Sequence, residues 1–199
     1  MSDRPSNVNI PNALTVLRLI AVPVFGWMLL SHPHDGTWRT WTTVVFAVAI
    51  FTDFIDGRIA RRYNLITDFG KIWDSVADKA ITGMAFIGLS IVGELPWWIT
   101  ALILLREWGI TVMRVFMLKY EVMAANKGGK LKTATQSLAI TLFCIGLWRT
   151  PTPVDVVAWA VMILAFGLTL VTGVMYLIDA ARIRRDSLAK QAGGGSDEF

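Results

Sequence analysis

Two pairs of carboxylates lie inside stretches that otherwise read as membrane-spanning, and this combination restricts the possible fold more than any other feature of the chain. From Phe51 to Asp78 the sequence runs FTDFIDGRIARRYNLITDFGKIWDSVAD. On a helix, Asp53, Asp56, Gly57 and Ala60 fall at i, i+3, i+4 and i+7, and Gly70, Asp74 and Asp78 at i, i+4 and i+8. Each set therefore lines one face. Charges at membrane depth are costly and mark functional sites. Two such faces meeting near a membrane boundary make an all-oxygen pocket flanked by small residues. That environment suits hard divalent cations and a phosphate that must approach backbone. The alternative, in which the aspartates cap helices or pair with Arg61, leaves several carboxylates uncompensated in an apolar medium.

The rest of the chain agrees with a membrane location. Hydrophobic residues make up 54% of 199, with a mean hydropathy of +0.53, more apolar surface than one soluble core needs. Apolar stretches predict an all-α integral membrane protein of one domain with six transmembrane helices, at about 13–31, 39–62, 71–93, 96–118, 133–150 and 154–180. Residues 1–12 are expected to lie at the interface, 13–180 to form the membrane domain, and 181–199 to be a basic, then Gly-rich, flexible tail. The first span is not expected to be a cleaved signal, since it contains Arg18 and Pro23 and no small-residue cleavage site follows. Trp38, Trp41, Trp97, Trp98 and Trp148 fall near span ends, where indole rings anchor at interfaces. Cys144 is the single cysteine, so no intramolecular disulfide forms. His32 and His34 read as solvated loop residues rather than ligands.

Of 19 Lys and Arg residues, 17 fall in the N-terminal, 58–79, 106–132 and C-terminal regions, leaving only Arg39 and Arg149 for the other side. The positive-inside rule then places both termini and the aspartates on the cytoplasmic side. No nucleic-acid partner is expected. At about 1.5 Å per residue, Asp56 and Asp53 lie roughly 9–14 Å from the end of the second helix, and Asp74 and Asp78 roughly 6–12 Å into the third. All four reach similar depth.

The pattern DxxDGxxAR, eight residues, GxxxDxxxD resembles the signature of the CDP-alcohol phosphotransferase family, with every signature position filled. The resemblance implies that family's membrane fold, a homodimer with one site per protomer, and two Mg²⁺ or Mn²⁺ ions per site. It implies displacement on a CDP-linked lipid, in which an alcohol hydroxyl attacks the phosphate beside the lipid and CMP leaves. Carried over residue by residue, Asp53, Asp56 and Asp74 would be metal ligands and Asp78 a ligand or the general base. Asp53, Gly57, Ala60, Arg61 and Gly70 would hold the cytidine nucleotide.

The segments NIPNALTVLR, REWGITVMR and GGKLKTATQ, with the ADK after Val76, resemble the branch that joins CDP-diacylglycerol to sn-glycerol 3-phosphate in a bacterial plasma membrane. Such an acceptor needs a cationic subsite, for which Arg114, Lys130 and Lys132 are the best candidates, followed by Arg18 and Arg106. Each has another reading. The lysines suit contact with lipid headgroups, Arg114 suits a buried pair with Glu107, and Asn12, Thr15 and Arg18 share a face suited to a polar helix contact. Relatives using phosphatidylglycerol or an inositol phosphate share the aspartates, and a cation transporter is the non-enzymatic alternative. Such transporters are commonly built on paired repeats, and no repeat is apparent here.

Overall fold

The computed structural model describes residues 10–63, 68–117 and 127–193, excepting some side chains, among them those of Ala60, Arg61, Arg114 and Lys130. The described residues form six α-helices and no strand: α1 Ile10–Ser31, α2 Gly36–Arg62, α3 Asp68–Ile91, α4 Trp97–Met117, α5 Lys127–Cys144 and α6 Thr152–Gly193. Helix α1 packs on α2 and α3, α5 packs on α6, and α4 bridges α3 to α6. Phe25, Phe46, Phe86, Phe143, Ile81 and Ile140 fill the space between them and are fully buried.

Several boundaries differ from those that hydropathy suggests, for local reasons. Helix α2 starts three residues early because the Asp35 carboxylate caps it, accepting from the Thr37 and Trp38 amides at 2.8 and 3.0 Å. Helix α5 stops at Cys144 instead of 150, since Gly146 turns the chain with φ +86° into a 3-10 turn at Leu147–Arg149. Helix α6 continues to Gly193, past the boundary at 180, so the segment expected as a flexible tail is helical over most of its length. Its sequence, ARIRRDSLAKQAG, is rich in helix-favouring Ala, Arg, Leu, Lys and Gln. Apolarity locates the part of a helix that lipid can cover and is blind to how far the helix runs beyond it.

Among the described residues, two helical stretches, Pro11–Ser31 and Thr152–Arg185, are long and apolar enough to cross a membrane by composition. The other helices carry charge in their interiors, α3 alone holding Lys71, Asp74, Asp78 and Lys79. Even so, all six present large apolar side chains outward: Leu17, Phe51, Ile91, Leu105, Leu138 and Ile163 are each more than half exposed. Trp41, Trp97, Trp98 and Trp148 are also at least half exposed, and they cluster where α2 and α4 begin and α5 gives way to α6. The two histidines are not simply solvated: His32 stacks on Trp38 with ring centroids 4.3 Å apart, and His34 meets the edge of Trp148.

At this Trp-rich end, α3 closes with a glycine-dependent cap. Gly93 takes φ +81°, and the Glu94 and Gly93 amides donate back to the Leu89 and Ser90 carbonyls at 3.0 and 3.2 Å. The reversal aims Glu94 at Arg39, whose Nη2 donates to Glu94 Oε2 at 2.5 Å and to the Phe143 carbonyl at 2.8 Å. Arg149 adds a bond to the Gly36 carbonyl at 2.5 Å and one to Thr40 Oγ1 at 3.0 Å. The two arginines assigned to the outer side thus tie α2 to the α3–α4 turn and to the end of α5.

Candidate active site

The opposite end of α2 carries Asp53 and Asp56, and the first half of α3 carries Asp74. One oxygen from each of these three lies within 4.8 Å of the others, the convergence that the helical spacing predicts. Into them reaches Arg18 from α1. Its Nη1 donates to Asp53 Oδ1 at 2.6 Å and Asp74 Oδ1 at 2.9 Å, and its Nη2 to Asp56 Oδ2 at 2.5 Å. The Arg18 side chain is fully buried, Asp56 nearly so, while Asp53 and Asp74 are 34% and 43% exposed. One face of the cluster is therefore closed by protein and the other is open. Arg18 had been expected beside an acceptor phosphate; the structure puts it among the carboxylates. Thr15 and Asn12, about one and two turns earlier, are buried with it, so the shared face of α1 is an interhelical contact.

Three converging carboxylates and no softer donor make a set suited to a hard divalent cation. A cation already stands there in the form of the guanidinium, which shows that the arrangement accepts positive charge at its centre. One positive charge against three negative leaves the cluster anionic. The residues present therefore fit the metals that the signature implies.

Asp78 stands apart from this trio. It lines a small polar cavity of about 30 Å³ with Thr82, Lys132, Gln136 and Ser137. Lys79, Glu107, Lys132 and Thr133 border that cavity and also a larger one of about 360 Å³, which Ser75, Arg106, Thr111, Gly129 and Tyr176 complete. Two of the predicted cations, Arg106 and Lys132, line the larger cavity. Lys132 is buried, with its ammonium on Glu107 Oε1, and Arg106 Nη1 reaches the same oxygen at 3.0 Å. The sequence pairs Glu107 with Arg114; among the described residues its partners are Arg106 and Lys132. The side chains of Arg114, Lys130, Ala60 and Arg61 lie outside the described residues. Gly57 follows Asp56 on α2 and Gly70 lies on the first turn of α3, so both border the carboxylate cluster by position.

Sequence reasoning missed the share of α6 in this cavity. Thr169, Thr172, Gly173 and Tyr176 recur at i, i+3, i+4 and i+7 and are all buried, a small and polar stripe on an otherwise apolar helix. Thr172 Oγ1 accepts from Arg106 Nη2 at 2.8 Å, and the Tyr176 ring lies 5.8 Å from the guanidinium. At Gly173 a Cβ would come within 3.1 Å of Arg106 Cγ, so the arginine can lie across α6 because that position has no side chain. The i, i+3, i+4, i+7 stripe was the available signal. Lys79 was also missed as a cavity residue, although it directly follows Asp78.

Residues 8–174 match the family model described as CDP-alcohol phosphatidyltransferase. A relative from Mycobacterium tuberculosis named probable phosphatidylglycerophosphate synthase is 44% identical over 183 residues, covering 92% of this chain and 86% of its own length. A Rickettsia typhi protein named CDP-diacylglycerol–glycerol-3-phosphate 3-phosphatidyltransferase is 35% identical over 84% of this chain and 94% of its own length. A Streptomyces coelicolor protein named cardiolipin synthase (CMP-forming) is 31% identical over 92% of this chain and 87% of its own length. With three of the four signature aspartates gathered at one place and the match running into all six helices, the chain belongs to the CDP-alcohol phosphatidyltransferase family.

Proposed function

We propose that this protein transfers the phosphatidyl group of CDP-diacylglycerol to sn-glycerol 3-phosphate, releasing CMP and forming phosphatidylglycerophosphate, the committed lipid of anionic phospholipid synthesis. The observation that carries the acceptor is the 360 Å³ cavity lined by Lys79, Arg106 and Lys132 beside the carboxylate-bearing face of α3. A small acceptor with its own phosphate needs cations of this kind. Arg114 belongs to the same subsite because it continues the face of Ile110 and Thr111, which line the cavity, by one turn. Lys130 is proposed for the same subsite as the cation adjoining Gly129, which lines the cavity. The greater identity to the relatives named probable phosphatidylglycerophosphate synthase and CDP-diacylglycerol–glycerol-3-phosphate 3-phosphatidyltransferase than to the one named cardiolipin synthase points the same way.

In this reading Asp53, Asp56 and Asp74, with Asp78 as a fourth ligand or as base, would hold two Mg²⁺ or Mn²⁺ ions. Such ions, when bound, neutralise a diphosphate and activate its phosphorus toward in-line displacement. Gly57, Ala60, Arg61 and Gly70, with Asp53, cradle the cytidine nucleotide where small residues let backbone approach it. Lys132 and its neighbours fix the acceptor phosphate. The free hydroxyl then faces Asp78 across the small cavity that the two share. Asp78 takes the hydroxyl proton as oxygen attacks the phosphorus next to diacylglycerol, and the CMP oxygen leaves.

The apolar side chains that all six helices turn outward support six membrane spans, and the Trp-rich end opposite the basic loops supports a cytoplasmic site and cytoplasmic termini. A homodimer in a bacterial plasma membrane completes the proposal. The deciding assay is CMP release from CDP-diacylglycerol by purified protein with Mg²⁺ or Mn²⁺, comparing glycerol 3-phosphate, phosphatidylglycerol and inositol phosphate. Release with glycerol 3-phosphate alone is expected. Release only with another acceptor overturns the acceptor assignment, and none with any acceptor from folded protein overturns the reaction class.

A further inference from the structure

We infer that Arg18 is a resident counter-cation of the carboxylate cluster, which holds the site assembled before metals enter and competes with the first divalent ion for the same oxygens. The inference rests on the metal-binding reading above and goes beyond it, because it assigns α1 a control over loading.

Three observations carry it. The guanidinium touches Asp53, Asp56 and Asp74 at 2.5–2.9 Å, and those are the three carboxylates whose oxygens converge. A hard cation binds carboxylate oxygen at about 2.0–2.6 Å, so an ion shared by the three needs the space the guanidinium fills. Next, Arg18 is fully buried and reaches these groups through its terminal nitrogens alone, while its Nε has no hydrogen-bond partner. It is tied to the carboxylates and not locked by a surrounding network. Last, Arg18 comes from a different helix than its partners. It links α1 to α2 and α3 at the point where three like charges would otherwise push those helices apart. Arginine suits this role, since its planar fork serves several oxygens at once and its charge is permanent. Once displaced, the same fork is free to meet a phosphate.

The test measures Mn²⁺ binding to purified, nucleotide-free protein in detergent, by the electron paramagnetic resonance signal of free Mn²⁺, with Asp56→Asn as the control for the site. Arg18→Ala is expected to bind the first Mn²⁺ at least tenfold more tightly than the parent protein. It is also expected to unfold at a lower temperature without metal and to gain more from Mn²⁺. Methylguanidinium added to Arg18→Ala should restore metal-free stability and compete with Mn²⁺, while leaving the parent protein unchanged. A role confined to helix packing predicts lower stability with no gain in Mn²⁺ affinity, and that result overturns the inference. If Arg18→Ala does not fold, Arg18→Lys serves: a single ammonium cannot serve all three carboxylates, so tighter Mn²⁺ binding is again expected, and equal or weaker binding overturns it. Absence of any Mn²⁺ binding sensitive to Asp56→Asn overturns the metal-site reading together with this one, whereas equal binding by parent and variant overturns this one alone.

Discussion

Arg18 and Arg39 are both fully buried arginines that each join three segments of the chain, yet their charge surroundings differ. Arg39 meets one carboxylate, Glu94, and one backbone carbonyl, which gives a locally neutral set. Arg18 meets three carboxylates and leaves them net negative. The two sites lie roughly 25 Å apart along α2, taking the rise from Arg39 to Asp56 at about 1.5 Å per residue. A balanced buried pair is a joint between helices. An unbalanced one holds charge in reserve for something that is yet to bind, so the same residue type marks structure at one end of the helix and chemistry at the other.

Substitutions at the two ends should fail in opposite ways. The largest effect is expected for Asp56→Asn, which should lower CMP release by a thousandfold or more, about 4 kcal/mol of transition-state stabilisation, with an unfolding temperature close to that of the parent. Asp78→Asn should cost about 10²–10⁴-fold in turnover, the range of a positioned general base, and leave nucleotide binding intact by equilibrium titration. At the other end Glu94→Ala should destabilise by about 3–5 kcal/mol, since it leaves Arg39 buried without its carboxylate, while turnover per folded molecule is unchanged. Loss of turnover by Glu94→Ala with normal stability would dissolve the contrast.

Smaller effects sharpen it. Lys132→Ala should raise the KM for glycerol 3-phosphate about tenfold, the loss of one charge-assisted contact, and leave the KM for CDP-diacylglycerol unaltered. The smallest is a pH effect in the α3–α4 turn. Burial raises the Glu94 pKa above its ordinary 4.5, and the attraction of Arg39 only partly reverses this. Just above that value the folded protein keeps a proton that the unfolded chain has released. Stability therefore falls as pH rises through this window, and Glu94→Gln should flatten the slope in thermal unfolding.

How much of this was legible in the sequence depended on whether a residue's meaning was local. Asp53, Asp56 and Asp74 were readable because helical period alone puts them on facing surfaces, and the signature fixes their spacing. The contribution of Lys132 was readable as charge, but its clamp by Glu107, 25 positions away, was not. Arg18 shows the limit most clearly. Its face on α1 was evident, whereas its partners, 35, 38 and 56 residues distant, depend on how α1 leans across α2 and α3. Helix ends were misjudged where polar residues prolong a helix, as in α6, or where one glycine ends it early, as after Cys144.

The length of α6 has a further consequence. From Thr152 to Tyr176 it rises roughly 36 Å at about 1.5 Å per residue, a little more than the roughly 30 Å hydrocarbon core of a bilayer. In the proposed orientation, one rod begins among the tryptophans and reaches the cavity lined by Tyr176 as the lipid tails give out. On the proposed reading it would act as a plumb line, setting the cavity at the level where a headgroup and a water-soluble molecule can share one address, so that neither substrate has to leave its own phase to react.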